Sequence, residues 1–176
     1  MSERLPTREQ ALQILREYNC SAEVIEHSEA VSKLALKTAY TLKSKGFNVD
    51  LALVEVSALL HDIGRSITHS VHHAVIGAEL AKKASLPDQV ISIIKRHVGG
   101  GITANEAKAL GWPKDVYVPV TLEEKIVAYA DKLIERADIA PIEVTIEKLR
   151  REKKYEAAER VRKLYEEITS LIGEDP

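Results

Sequence analysis

Four ionisable residues occupy predicted helices at positions where apolar residues are expected. His27 lies on the apolar stripe of one helix, His61 and Asp62 close a second apolar helix, and Asp131 ends the apolar run of a third. A buried carboxylate destabilises a fold unless it is paired or binds a cation. Imidazole nitrogens and carboxylate oxygens on neighbouring helices are ligands that a divalent metal accepts. We therefore predict a metal site in a helical core.

The alternative is that each residue is an ordinary buried side chain with a hydrogen-bonded neighbour, which is the commoner outcome for a single His or Asp. Four such residues on three apolar helices favour a shared ion instead. The chain has one cysteine, Cys20, so no thiolate cage can form and His, Asp or Glu must hold the metal. One or two divalent ions are expected. Mixed ligation favours iron or manganese, with nickel, cobalt, zinc and magnesium as the other choices.

The remaining histidines divide into two groups by their helical faces. His73 shares its face with small and apolar residues, whereas His72 shares one with Glu79, so we expect His73 to point inward and His72 to lie at the rim. His97 ends another apolar helix. Taken alone, His73 and His97 are as readily core histidines as metal ligands. His69 lies in a polar loop and is expected to be a loop residue.

Helix signals recur along most of the chain. Capping residues such as Thr7, Ser21, Asp50, Thr103 and Thr121 precede stretches with helical periodicity. The predicted helices that position the polar residues span 22–45, 51–62, 71–84, 88–97 and 122–136. No strand alternation is evident. The expected fold class is therefore all-α, a single-domain helical bundle.

The C-terminal part of the chain is richer in charge. From Pro141 onward the pattern predicts one amphipathic helix or a broken pair, bent near Lys153 and Lys154. We assign 1–140 to the domain with the metal site (core 21–137) and 141–176 to a charged helical extension. This extension is expected to pack on the domain or on a second copy, so that a homo-oligomer can form through it.

Composition excludes several classes of function. The 176 residues carry a formal charge of −2, so no global basic field attracts nucleic acid or anionic membranes. Aromatic residues make up 5%, which argues against a base-stacking surface. No apolar run approaches the roughly 18 residues of a membrane span, and the N-terminus lacks a signal core. We expect a soluble, cytoplasmic protein without a membrane partner.

The four polar positions together resemble a known family. His27, the sequence His61-Asp62-Ile63-Gly64 and then Asp131 are similar to the signature of the HD superfamily of metal-dependent phosphohydrolases. The resemblance covers about two-thirds of the chain. It implies an all-α HD-type bundle in which His27, His61, Asp62 and Asp131 bind one divalent ion.

Two further segments extend the resemblance to dinuclear members of the superfamily. The stretches 73–81 and 93–97 look like the segments that hold a second metal, which implies Asp62 as a bridging ligand with His73 and His97. The nearest patterns are the HD diadenosine-tetraphosphate hydrolases and an uncharacterised archaeal group. The Gly-Tyr-Pro signature of the cyclic-dinucleotide branch is absent after His97, where 98–102 read Val-Gly-Gly-Gly-Ile. The resemblance thus argues against that branch.

The resemblance implies hydrolysis of a phosphoester or phosphoanhydride bond in a phosphorylated, nucleotide-like small molecule. Two ions bridged by Asp62 would yield hydroxide near neutral pH and neutralise phosphate oxygens. Arg65 is the first choice for a phosphate clamp, because its guanidinium forms bidentate pairs with phosphate. Lys95 and Arg96 are weaker choices. The glycine run 99–101 offers backbone N–H groups to a phosphate or forms a hinge.

Two other functions remain open at this stage. The same ligand set serves HD-type di-iron oxygenases, which the sequence does not separate from hydrolases. A non-catalytic metal- or nucleotide-binding regulatory module, acting through the charged C-terminal helices, is the second alternative.

Overall fold

The structure is a computed structural model that describes residues 4–173. This part of the chain forms nine α-helices and one two-stranded antiparallel hairpin, which confirms the all-α class. The α-helices are α1 (Arg8–Glu17), α2 (Ala22–Ser44), α3 (Leu51–Leu60), α4 (His73–Lys83), α5 (Asp88–Lys95), α6 (Ala104–Ala109), α7 (Leu122–Leu133), α8 (Ile142–Arg151) and α9 (Tyr155–Ile172). Strands β1 (Ile134–Glu135) and β2 (Asp138–Ile139) form the hairpin, and 3₁₀ helices span Ile63–Ser66 and Val98–Gly100.

The predicted capping residues begin the helices as expected. Thr7, Thr103 and Thr121 form complete capping boxes, while Ser21 and Asp50 each accept a hydrogen bond from the backbone of the first turn. These bonds satisfy N–H groups that have no partner inside the helix. Local sequence thus fixes where the helices that lead to the polar residues begin.

The hydrophobic core lies where α3 packs between α2 and α7. Most of α3 is buried, including Val54, Leu59 and Leu60, in agreement with its apolar circumference. On α7, Ile126 and Ala130 bound the helical turn just before Asp131, and both are fully buried. The helices that carry the polar residues are therefore held by apolar packing close to those residues.

Three helices end at least two residues earlier than the sequence predicts. Helix α5 ends at Lys95 instead of residue 97, so His97 lies between α5 and the second 3₁₀ helix. Helix α3 ends at Leu60 instead of residue 62, so Asp62 lies in a tight turn before a 3₁₀ helix. A Cβ atom on Gly64 would lie 2.0 Å from the carbonyl oxygen of His73, so this turn packs directly on α4. Helix α7 ends at Leu133 instead of residue 136, because Ile134 is extended and begins the β1–β2 hairpin, whose turn holds Arg136 at a left-handed φ of 57°.

The C-terminal segment is the broken helix pair that the sequence allowed. The break falls between α8 and α9, where Lys153 has a φ of 60°. Ile146 of α8 and Val161 and Ile168 of α9 belong to the same hydrophobic cluster as α2, α3 and α7. A domain division at residue 140 stays a prediction, as does oligomer formation through these helices.

No helix within 4–173 is both long enough and apolar enough to cross a lipid bilayer.

Candidate metal centre

The fold brings six residues from five segments to one place. His27 comes from α2, His61 and Asp62 from the turn after α3, His73 from the start of α4, His97 from the link between α5 and the second 3₁₀ helix, and Asp131 from α7. These are the six residues that the sequence nominated. His69 and His72 are exposed and belong to neither donor group. The ring of His72 instead accepts a 2.8 Å hydrogen bond from the indole N–H of Trp112, at the rim.

The first donor group consists of His27, His61, Asp62 and Asp131. Nε2 of His27 and Nε2 of His61 lie 3.0 and 3.2 Å from Oδ1 of Asp131. The same two nitrogens lie 3.7 and 3.5 Å from Oδ2 of Asp62. One donor atom from each residue therefore reaches a common point, with all of these atoms within 4.8 Å of one another.

The second donor group shares Asp62 with the first. Its other oxygen, Oδ1, lies 3.2 Å from Nε2 of His73 and 3.3 Å from Nε2 of His97. The two ring nitrogens lie 3.1 Å apart. The carboxylate of Asp62 thus presents one oxygen to each group, an arrangement able to bridge two cations.

All four histidines are oriented through the nitrogen that does not face the carboxylates. Each Nδ1 donates to a backbone carbonyl oxygen at 2.6–2.8 Å. The four acceptors are Arg136 for His27, Ala58 for His61, Ser70 for His73 and Ile94 for His97. Because a carbonyl can only accept, each Nδ1 carries a proton and each neutral ring directs the Nε2 lone pair at its donor group. Histidines that bind metals show this same outer hydrogen bond.

These contacts are unfavourable without a positive charge among them. In the second group the Nε2 lone pairs of His73 and His97 point toward each other and toward Oδ1 of Asp62. This buried oxygen accepts no hydrogen bond. Neutral imidazole and carboxylate are both donors to a metal, so a divalent cation would relieve the repulsion. The donor set therefore fits a divalent metal.

The electrostatics of the protein alone point the same way. Burial disfavours the charged form of His61, but the carboxylates of Asp62 and Asp131 outweigh it and raise the pKa of His61 to about 9. Burial lowers the pKa of His97 to about 4. Burial would raise the pKa of Asp62, but the charge of His61 holds it well below its ordinary range. The centre therefore attracts a positive charge, and in the metal-free protein a proton on His61 supplies it.

Both carboxylates are also paired with cations. Nε of Arg65 lies 3.1 Å from Oδ2 of Asp62, and Nζ of Lys132 lies 2.7 Å from Oδ2 of Asp131. Arg65 also donates to the carbonyl oxygen of His69 at 3.1 Å. The sequence analysis identified Arg65 but missed Lys132. The position of Lys132 directly after Asp131, a proposed ligand, could have indicated it.

The other cations that the sequence suggested are bound elsewhere. Lys95 pairs with Asp115 at 2.6 Å, and Arg96 pairs with the buried Glu124 at 2.8 Å. Neither lines the cleft above the donor groups. The middle glycine of the 99–101 run, Gly100, packs against the backbone of α9, where a Cβ atom would meet it at 3.0 Å.

A cleft of about 360 Å³ opens above the donor atoms. His27, Asp62, His73 and Asp131 form its floor, and Arg65 and Lys132 stand beside them. Its far wall comes from α8 and the turn that follows it, which sequence reasoning did not connect with the site. The volume lies in the range of small-molecule sites.

Comparisons with known proteins agree with this architecture. The HD domain family model matches residues 24–136. The uncharacterized protein MJ0778 of Methanocaldococcus jannaschii is 43% identical over 166 residues, which cover 93% of this chain and 98% of the relative. The tRNA (cytidine(56)-2'-O)-methyltransferase of Picrophilus torridus is 41% identical over 97% of this chain, but the chain spans only about half (49%) of that protein.

A solved structure shares the fold. The HD domain of the L. monocytogenes phosphodiesterase PgpH, in complex with cyclic-di-AMP, matches with a TM-score of 0.57 at 19% identity, covering 93% of this chain and 95% of that one. The family match covers more than half of the chain and contains all six of the residues that the sequence analysis proposed as metal ligands. The chain therefore belongs to the HD domain family, the superfamily of metal-dependent phosphohydrolases to which its histidines and aspartates pointed.

Proposed function

We propose that this protein hydrolyses a phosphoester or phosphoanhydride bond of a nucleotide-like substrate with the help of two divalent ions. The observation that carries the proposal is the convergence of four Nε2 atoms on two carboxylates, one of which divides its oxygens between the two donor groups. Each histidine is held for this role by a backbone carbonyl at its other nitrogen.

In this proposal one ion is held by the first donor group and the other by the second, with Asp62 common to both. The first group would hold its ion with four residues and the second with three, and a catalytic ion also needs positions for water and substrate. Bound divalent ions supply activated water near neutral pH and neutralise charge on phosphate oxygens. Iron and manganese suit the mixture of imidazole and carboxylate best.

The protein's own residues position the carboxylates and the substrate. Arg65 binds Oδ2 of Asp62 and Lys132 binds Oδ2 of Asp131, and these contacts hold the two carboxylates in their orientation toward the histidines. Both cations also line the cleft, where a phosphate group would find them. We assign Arg65 the role of phosphate clamp, with Lys132 as a second cation that the sequence did not suggest.

The substrate class rests on chemistry that the relatives have in common. The PgpH domain binds cyclic-di-AMP, and the relative from Picrophilus torridus is named for the modification of tRNA. Cyclic-di-AMP and tRNA both consist of nucleotides joined through phosphate. A phosphorylated nucleotide is therefore the substrate class we propose for this cleft.

The direct test is hydrolysis of a nucleotide and dinucleotide panel by protein loaded with manganese or iron. We expect turnover that a chelator abolishes and that Asp62→Asn lowers at least about 100-fold. His72→Asn is the matched control, because His72 lies outside both donor groups, and it should keep full activity. Oxygen consumption without phosphate-bond cleavage would instead identify an oxygenase, and nucleotide binding without turnover would identify a regulatory module.

A further inference from the structure

The cleft has one wall that lies outside the matched HD region. The family match ends at residue 136, whereas α8 begins at Ile142. The residues of this wall that line the cleft include Thr145, Lys148, Leu149 and Glu152. The last three lie three, four and seven residues after Thr145, so all four are on one face of a helix. The cleft therefore has a helical wall from beyond the residues that the family model matches.

Two contacts fix the orientation of that face. Ile142 and Ile146 are buried in the main core, and Leu149 packs against the same core. Thr145 Oγ1 donates a 2.9 Å hydrogen bond to the carbonyl oxygen of Lys132. Because Lys132 directly follows Asp131, this bond joins α8 to the segment that carries a proposed metal ligand. The wall is thus held at a defined position relative to the donor atoms.

Four cationic side chains line the cleft, and three of them are each bound to a carboxylate. The three pairs are Arg65 with Asp62, Lys132 with Asp131 and Lys154 with Glu152. Lys148 is the fourth cation, and among residues 4–173 it has neither a hydrogen bond nor an ion pair within 4 Å. The charge of Lys148 acts on Glu152, a carboxylate that Lys154 already binds at 2.7 Å. Lys148 is therefore available to an anion in the cleft.

We propose that Lys148 binds a second phosphoryl group of the substrate, separate from the one placed over the donor atoms. This inference rests on the proposed function, because it takes the scissile phosphate to lie on the floor of the cleft. A lysine ammonium is a point charge on a flexible stem and binds phosphate without a planar partner. The preferred substrates are then nucleotides with at least two phosphoryl groups, such as a dinucleotide with a 5′-phosphate.

The test compares the dinucleotide ApA with its 5′-phosphorylated form pApA on manganese-loaded protein. Steady-state kinetics gives KM where turnover occurs, and calorimetry gives Kd where it does not. We expect wild type to prefer pApA by about five- to tenfold, the size of one charge-assisted contact. Lys148→Gln should remove this preference by weakening pApA more than ApA, while Lys148→Arg should keep most of it.

Lys163→Gln is the matched control, because Lys163 is exposed on α9, does not line the cleft and undergoes the same change of charge. It should keep the preference for pApA. The inference is overturned if wild type treats both dinucleotides alike, if Lys148→Gln weakens both equally, or if Lys163→Gln has the same effect as Lys148→Gln. If neither dinucleotide is hydrolysed but Lys148→Gln still removes the preference in binding, the anion site stands and the proposed hydrolysis fails.

Discussion

Nε2 of His73 lies 3.1 Å from Nε2 of His97. When both rings are neutral, neither of these nitrogens carries a proton that it could donate to the other. Both rings donate through Nδ1 to backbone carbonyls, and both nitrogens also face Oδ1 of Asp62. Two lone pairs and a carboxylate oxygen at this separation repel one another in a buried site. A cation among them turns the same geometry from repulsive to attractive, and the following predictions depend on this point.

The shared carboxylate predicts unequal effects of two substitutions on metal content. Asp62→Ala removes a donor from both groups, so neither ion should stay bound after desalting. His97→Ala removes a donor from the second group only and should leave about one ion per chain. Metal analysis of the loaded proteins measures this, with His72→Ala as the control that keeps the wild-type content. Full metal content in the Asp62 variant would contradict the bridging role.

Arg65 should act mainly on substrate binding. Its guanidinium lines the cleft and lies 3.1 Å from Asp62, so Arg65→Gln removes a phosphate partner while the six donor residues remain. We expect KM for phosphorylated substrates to rise about tenfold, with a smaller loss in kcat. Arg150→Gln changes an exposed arginine that does not line the cleft and is the control. Unchanged kinetics in the Arg65 variant would remove this residue from the site.

The raised pKa of His61 predicts how the metal-free protein responds to pH. The value is about 9 in the fold against an ordinary 6.5, so the proton stabilises the fold fully below pH 6.5. That stabilisation is lost as the pH rises toward 9. We expect Tm of the metal-free protein to fall across this window, and Tm of the metal-loaded protein to fall less, since the cation replaces the proton. Calorimetry with and without chelator measures both slopes, and equal slopes would count against a cation at this position.

The turn that carries Asp62 should be intolerant of a larger residue at Gly64. A Cβ atom there would lie 2.0 Å from the carbonyl oxygen of His73 and 2.8 Å from the backbone nitrogen of Gly77. Gly64→Ala must therefore separate the turn from α4, and we expect a loss of about 1–3 kcal/mol in the free energy of unfolding. Gly77→Ala is the comparison, because its nearest contact is a side-chain methyl group of Ile94 at 3.0 Å, which can move. Equal stability of wild type and the Gly64 variant in denaturant titrations would show that this contact is not tight.

Much of the site could be predicted from the sequence because its residues break the pattern of apolar helices. His27, His61 and Asp131 stand out for this reason, and capping residues such as Thr121 set where their helices begin. His73 could be separated from its neighbour His72 by helical face alone. These signals are local, so a single sequence contains them.

The rest depends on tertiary packing between distant segments. The turn at Asp62 forms because Gly64 packs on α4, and local periodicity instead continued the helix through it. Arg96, beside His97, was a weaker choice for a phosphate clamp, but the buried Glu124 on α7 binds it. Lys148 lies more than 80 residues from Asp62, and only the docking of α8 brings it to the same cleft.

The most direct test of the central claim is electron paramagnetic resonance of the protein loaded with two equivalents of manganese(II). If Asp62 joins the two ions, the spectrum should show an exchange-coupled pair, which Asp62→Ala abolishes and His72→Ala leaves intact. Spectra of isolated ions alone at full occupancy, or no stoichiometric binding, would contradict the account.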